Sequence, residues 1–204
     1  MLRKTIVTGC LCMAMLIGAG CDSSRKTVGS PAGEYRTMAV APLRDTDAAQ
    51  RANETGLTHL AAGELDKAAA AFKEALAADV DYGPAHNNLG KVYYLQRDWH
   101  KAAWEFEYAR ELLPGDPGPH NNLGLTLEKK SSRLDDAIDE YRIAVGLAPA
   151  NMQYVGNLAK ALVIRGDRTD ELRALLKQLA EKDTRADWLI WARQQQAGLG
   201  VKYE

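Results

Sequence analysis

Hydrophobic positions divide the chain into stretches of different character. Ile6 to Gly20 is an apolar run with no charge in it, preceded by Arg3 and Lys4, the pattern of a secretory signal. It falls short of the roughly twenty residues that carry a helix across a bilayer, so residues 1–20 are expected to be removed. Residues 22 to 45 hold Ser, Gly, Pro, Arg and Asp without sustained periodicity, and only Met38-Ala39-Val40-Ala41 is apolar. They predict a flexible tether within 21–48, reaching about 25 to 30 Å as a random coil. From residue 49 onward the pattern repeats. His86-Asn87-Asn88-Leu89-Gly90 recurs as His120-Asn121-Asn122-Leu123-Gly124, displaced by 34 residues, each copy after a Gly/Pro-rich turn. Further on, Leu172, Leu175, Leu176 and Leu179 fall at i, i+3, i+4 and i+7, one face of a helix. Asp187 to Gln196 reads as a last helix within 183–204, its Trp188 and Trp191 placed to close an exposed end.

The 34-residue period and what it carries resemble the tetratricopeptide-repeat (TPR) family over residues 49–182. Three units align, 49–82, 83–116 and 117–151, the last with one extra residue near Ser131-Ser132, and a degenerate fourth spans 152–182. The family's small first-helix residue matches Gly56, Gly90 and Gly124. Its second-helix small residues match Ala68, Ala102 and Ala137, then Ala75, Ala109 and Ala144, with a large wedge between them at Phe72, Phe106 and Tyr141. The closing proline matches Pro114 and Pro149, and Val80 stands there in the first unit. The pattern has a physical reason: two antiparallel helices approach closely only where both carry small side chains, and large residues fill the space beside them. Gly63-Glu64, Arg97-Asp98 and Gly166-Asp167 mark the turns within hairpins. In the fourth unit Glu171 and Gln178 stand where alanines are expected. The fold class implied is all-α, a superhelical solenoid of antiparallel hairpins with a C-terminal capping helix.

Composition narrows the function. A net charge of −1 without a clustered basic stretch argues against nucleic acid. Cys10 and Cys12 fall inside the signal, so Cys21 is the single cysteine expected in the mature chain and no intramolecular disulfide can form. Ile17-Gly18-Ala19-Gly20-Cys21 resembles the lipobox of bacterial lipoproteins, although Gly18 stands where leucine is commonest. The resemblance implies acylation of Cys21 and a place in a bacterial cell envelope, periplasm-facing or extracytoplasmic. Two or more acyl chains suffice for stable anchoring. Loss of Arg3 and Lys4 leaves 24 basic and 27 acidic residues, net −3, so lipid rather than charge would hold the membrane. Asp22 either resembles an inner-membrane retention signal or simply opens a solvated linker.

The family's usual ligand groove lies along the first helices. Carried over residue by residue it comprises Asn53 and Leu57, then Asn87, Lys91 and Tyr94, then Asn121, Leu125 and Glu128, then Lys160 and Ile164. Such a mixture suits an extended peptide or a helix. The positions at which some members clamp a C-terminal carboxylate fall on Asn53, Leu57, Asn88, Gly118 and Asn122, which lack every cation, so that clamp is not expected. Asn88, Asn122 and Asn157 share one repeat position and read as structural hydrogen-bonding groups. Trp104 and Tyr108, four apart on a second helix, form either an exposed convex patch suited to an interface or a packing surface for a neighbouring segment.

An inventory of reactive groups points away from catalysis. His86 and His120 sit at equivalent positions in adjacent hairpins, about 8 to 10 Å apart and too far to share a metal ion. His59 and His100 lack a partner set at ligand spacing, and neither a Gly-rich phosphate loop nor a nucleophile elbow is present. No cofactor, small-molecule substrate or enzymatic activity is expected. Other proteins are the expected partners, with the membrane reached through the lipid. In layout the chain is similar to pilotins, which help assemble secretins or pili, and to adaptors that dock cell-wall hydrolases or proteases; a structural homo-oligomer is the alternative.

Overall fold

The computed structural model of the protein describes residues 44–200. The signal read at 1–20, Cys21, most of the tether and residues 201–204 lie outside the described residues. Those described form nine α-helices and a 3-10 turn, with one isolated bridge between Arg44 and Asp79. The architecture is the all-α solenoid implied by the repeats. Four hairpins follow one another: α1 (Thr46–Ala61) with α2 (Leu65–Ala78), α3 (Gly83–Leu95) with α4 (Trp99–Leu112), α5 (Pro117–Leu127) with α6 (Leu134–Leu147), and α7 (Met152–Arg165) with α8 (Asp170–Lys182). A ninth helix, α9 (Ala186–Gly198), packs on α8.

Helix α1 starts inside the stretch assigned to the tether, for a local reason. The Asp45 carboxylate accepts from the Ala48 amide at 2.9 Å, and the Asp45 amide donates to the Ala78 carbonyl at 3.0 Å. One residue therefore caps α1 and fastens it to the end of α2. Within the hairpins the chain leaves the first helix through a left-handed residue: Gly63 at φ 74°, Arg97 at φ 62° and Gly166 at φ 90°. The third hairpin uses the 3-10 turn Ser131–Arg133 instead, which takes up its extra residue.

Each of the first three hairpins closes on one aromatic ring. Phe72, Phe106 and Tyr141 are fully buried, and so are the alanines flanking them at 68, 75, 102, 109, 137 and 144. A methyl group on Gly56, Gly90 or Gly124 would stand 2.4, 2.7 or 2.6 Å from a ring carbon of its wedge, closer than carbon atoms approach. The glycines are there so that ring can lie directly on backbone.

The fourth hairpin corrects one expectation. Glu171 and Gln178 do not occupy the alanine positions of α8; Leu172, Leu176 and Leu179 fill its inner face, each at most 1% exposed. The two polar residues instead reach back to the third repeat. Glu171 receives a two-point ion pair from Arg142, both contacts at 2.9 Å, and Gln178 donates to the Pro149 carbonyl at 2.7 Å. Helix α9 then sits where a fifth first helix would begin. Its Trp188 lies against Gly156, where an added Cβ would meet the indole at 2.7 Å, and the Arg185 guanidinium stacks 4.8 Å from the centre of the Trp188 ring.

Candidate functional site: a groove along the first helices

The first helices are joined by a ladder of asparagine amides. Asn88 donates to Asn53 at 2.9 Å, Asn122 to Asn87 at 2.9 Å and Asn157 to Asn121 at 2.7 Å, one rung per interface between successive repeats. The acceptors Asn53, Asn87 and Asn121 are 6%, 9% and 3% exposed. The repeat alignment places these three in the groove as contact residues. Their correction is physical: buried, with the amide oxygen already engaged, they hold the groove's wall together and offer a ligand little. The ladder stops at Gly156, the repeat position after Asn121, which has no amide to offer and is covered by Trp188.

Between the rungs lies a pocket of about 340 Å³ lined by Leu60, Lys91, Tyr94, Leu95, Phe106, Asn122 and Leu125. It brings together Lys91, Tyr94 and Leu125 from the sequence-derived set. Leu60 also belongs to it, and could have been found, because it stands one period before Tyr94. Its floor is apolar and its rim polar. The Lys91 ammonium is half-buried, contacts Asn88 Oδ1 at 3.2 Å, and is pushed below the usual lysine range by burial, against the pull of Asp116. Lys129 holds its ammonium 5.6 Å from the Tyr94 ring and 5.9 Å from Trp99, and those two rings meet edge to face at 5.1 Å.

The remaining groove residues divide. Leu57 and Ile164 are exposed, 42% and 55%. Glu128 is committed to its own hairpin, accepting from the Tyr141 hydroxyl at 2.8 Å, and burial together with that carboxylate raises the phenol's pKa. Lys160 belongs to a separate pocket of about 310 Å³ at the cap, with Asp187, Trp188 and Trp191.

On α4, Trp104 is 57% exposed and Tyr108 40%, with ring centres 5.3 Å apart. Tyr108 also lies 5.0 Å from the His86 ring. His86 is buried between two acceptors, Glu105 at 2.7 Å on Nδ1 and the Val80 carbonyl at 2.9 Å on Nε2. Burial alone would lower its pKa, but the two acceptors and the nearby Asp81 raise it. His120 repeats the Nδ1 contact alone, to Glu140 at 2.7 Å, and Glu140 also binds Arg110. His59 pairs with Glu64 at 2.6 Å across the first turn, a single carboxylate and not a ligand set. Each histidine–glutamate pair ties the two halves of one hairpin, and Arg110–Glu140 joins the second hairpin to the third. Among the described residues no cluster of three or more His, Cys, Asp or Glu is arranged to hold a metal ion.

A family model described as tetratricopeptide repeat matches residues 53–117 and 126–187, more than half of the chain. The chain belongs to the tetratricopeptide-repeat family. It is 32% identical over 92 residues to Protein O-mannosyl-transferase Tmtc1 of Drosophila melanogaster, a match covering 43% of this chain but only 11% of that relative's length. Among solved structures it resembles YrrB, described as a TPR protein with an unusual peptide-binding site, at TM-score 0.64 and 21% identity, covering 78% of this chain and 81% of YrrB. MamA follows at TM-score 0.59 and 18% identity, covering 76% and 83%. The first TPR of Spaghetti, bound to an HSP90 peptide, matches at TM-score 0.58 and 18% identity, covering 62% of this chain and all of that domain. At these identities the structural likeness is one of fold. TPR domains commonly mediate protein–protein interaction and are typically non-catalytic scaffolds.

Proposed function

We propose that the protein is an envelope adaptor, anchored through lipid on Cys21, that holds a segment of a partner protein in the groove between α1, α3 and α5. The observation that carries the binding half is the apolar pocket of about 340 Å³ rimmed by Lys91 and Asn122 on a rigid wall of hydrogen-bonded first helices. Shape, apolar floor and a few polar groups are what a peptide site needs. YrrB and Spaghetti, similar in fold, carry peptide sites by their descriptions. The anchoring half rests on the lipobox-like residues Ile17 to Cys21 and the apolar run before them. Tethering would raise the partner's local concentration at the membrane. Pilotin-like assembly and hydrolase docking are two forms of this one mechanism, told apart by which partner is held.

Both halves are tested in natively expressed protein with crosslinking in place. Wild type should carry a lipid-sized mass increment that Cys21→Ala lacks, with the variant released from the membrane fraction. A Tyr94→Ala/Leu125→Ser double variant should keep the helical circular dichroism signal and lose the crosslinked partner. An unmodified soluble wild type would remove the anchor, and a partner retained by the double variant would remove the groove. Trp104 and Tyr108 favour a second reading, pairing of two solenoids through α4; a monomer by light scattering would sink it.

A further inference from the structure

Resting on the groove reading, we propose that the occupant is an acidic segment: an apolar side chain seated in the pocket beside Leu125 and Tyr94, with side-chain carboxylates next to it on Lys91 and Lys129. The inference follows from which charges in this region are already spent. Among the described residues neither Lys91 nor Lys129 has a carboxylate within ion-pair distance, whereas Lys101, on the helix that follows Lys91, is paired with Asp98. The nearby acids are occupied: Asp116 caps α5 through the Gly118 amide at 2.8 Å, and Glu128 holds the Tyr141 hydroxyl. The two ammonium groups are thus left without an ion-pair partner at the groove's rim, while the two carboxylates nearest them are engaged by neutral donors.

The two cations are also held in place. The Lys91 stem lies in the pocket wall with its ammonium anchored to Asn88, and Lys129 is poised over the Tyr94 and Trp99 rings, so little side-chain freedom is lost when a carboxylate arrives. A half-buried ammonium whose charged form is disfavoured by burial gains more from an incoming anion than an exposed one does. The apolar floor supplies a second requirement. A free acid or phosphate would leave Leu60, Leu95 and Leu125 unused, so the ligand must offer hydrocarbon and carboxylate together. The cations lie outside the positions that would grip a chain terminus, so the carboxylates recognised are those of side chains within a segment.

The probes are short fluorescent peptides, acetylated and amidated so that neither end is charged, each with a central leucine flanked by glutamates, glutamines or lysines. Anisotropy titrations against the full chain in detergent should show the glutamate peptide binding about tenfold or more tighter than the glutamine peptide, about 1.4 kcal/mol. That preference should shrink with added salt and vanish in Lys91→Met/Lys129→Met, whose stems keep the packing and whose melt should match wild type. Equal binding of all three peptides, or the lysine peptide binding tightest, would overturn the inference while leaving the groove a peptide site. A glutamate preference that survives in the double variant would overturn it too, by placing the acidic contact elsewhere. If no peptide binds, the inference falls, and partner capture by wild type against Tyr94→Ala/Leu125→Ser decides separately whether the groove binds protein.

Discussion

At the scale of single residues, the hairpins are set by contacts with almost no slack. Gly90 has Phe106 where its side chain would be, so Gly90→Ala must push a fully buried ring out of place. Overpacking of this kind should cost about 1–3 kcal/mol in urea unfolding despite alanine's better helix propensity. Arg97 is the reverse case. It holds the left-handed turn conformation that Gly63 and Gly166 supply in other hairpins, at φ 62°. Arg97→Gly should relieve that strain and stabilise by about 0.5–1 kcal/mol, a gain that an unchanged midpoint would refute. His86 carries a pH signature. Its two ring nitrogens face acceptors, so the charged imidazolium is the form the site fits, and its folded pKa lies above the ordinary value of 6.5. The stability it contributes is complete below that value and is lost as pH climbs through the raised one. The melting-temperature gap between wild type and His86→Gln should be widest in mild acid and narrow above neutrality; a gap that widens with pH would contradict the assignment.

At the scale of elements, the asparagine ladder decides how first helices stack. Asn88→Ala leaves the buried Asn53 oxygen without its donor and should cost about 1–3 kcal/mol, while Asn53→Ala/Asn88→Ala should cost less than the two single changes together. Additive losses would mean the rung contributes nothing of its own. The ladder also marks where legibility in the sequence ended. Period, hairpins, wedge aromatics and α9 could be read directly, because each is a short-range pattern of size or spacing. The rungs could not, since they join positions 35 or 36 apart, off the 34-residue repeat by one or two, and an alignment in register never sets Asn53 beside Asn88. Read in register, Asn87 and Asn121 looked like free groove amides. The same blindness applies to Glu171 and Gln178, whose purpose is a contact to Arg142 and to the Pro149 carbonyl in the repeat before. Of the groove itself, Lys91, Tyr94 and Leu125 were recoverable because position on the first helix sets which way they face. That Glu128 is held by Tyr141, or that Lys160 belongs to the cap, depends on partners that periodicity does not name.

At the scale of the whole solenoid, stability passes from neighbour to neighbour, and the end that lacks a neighbour must be closed by other means. Gly156 and Trp188 are that closure. With no fourth asparagine donor to receive, α7 offers a bare backbone surface at Gly156, and the indole of α9 covers it while Arg185 stacks on the ring and donates to the Met152 carbonyl at 3.1 Å. Trp188→Ala should therefore cost about 2–3 kcal/mol, short of the loss for a fully buried tryptophan because the ring is only half-buried. The location of the damage is the sharper test. In a nearest-neighbour array the lost contact frees α7, α8 and α9 to open locally, so amide exchange should rise there while α1 to α4 keep their protection. The groove between α1, α3 and α5 lies two interfaces away and should bind its peptide with unchanged affinity. Uniform acceleration of exchange along all helices would show instead that the repeats melt as one cooperative block, and a weakened groove would show that the cap's hold reaches the binding site through the ladder.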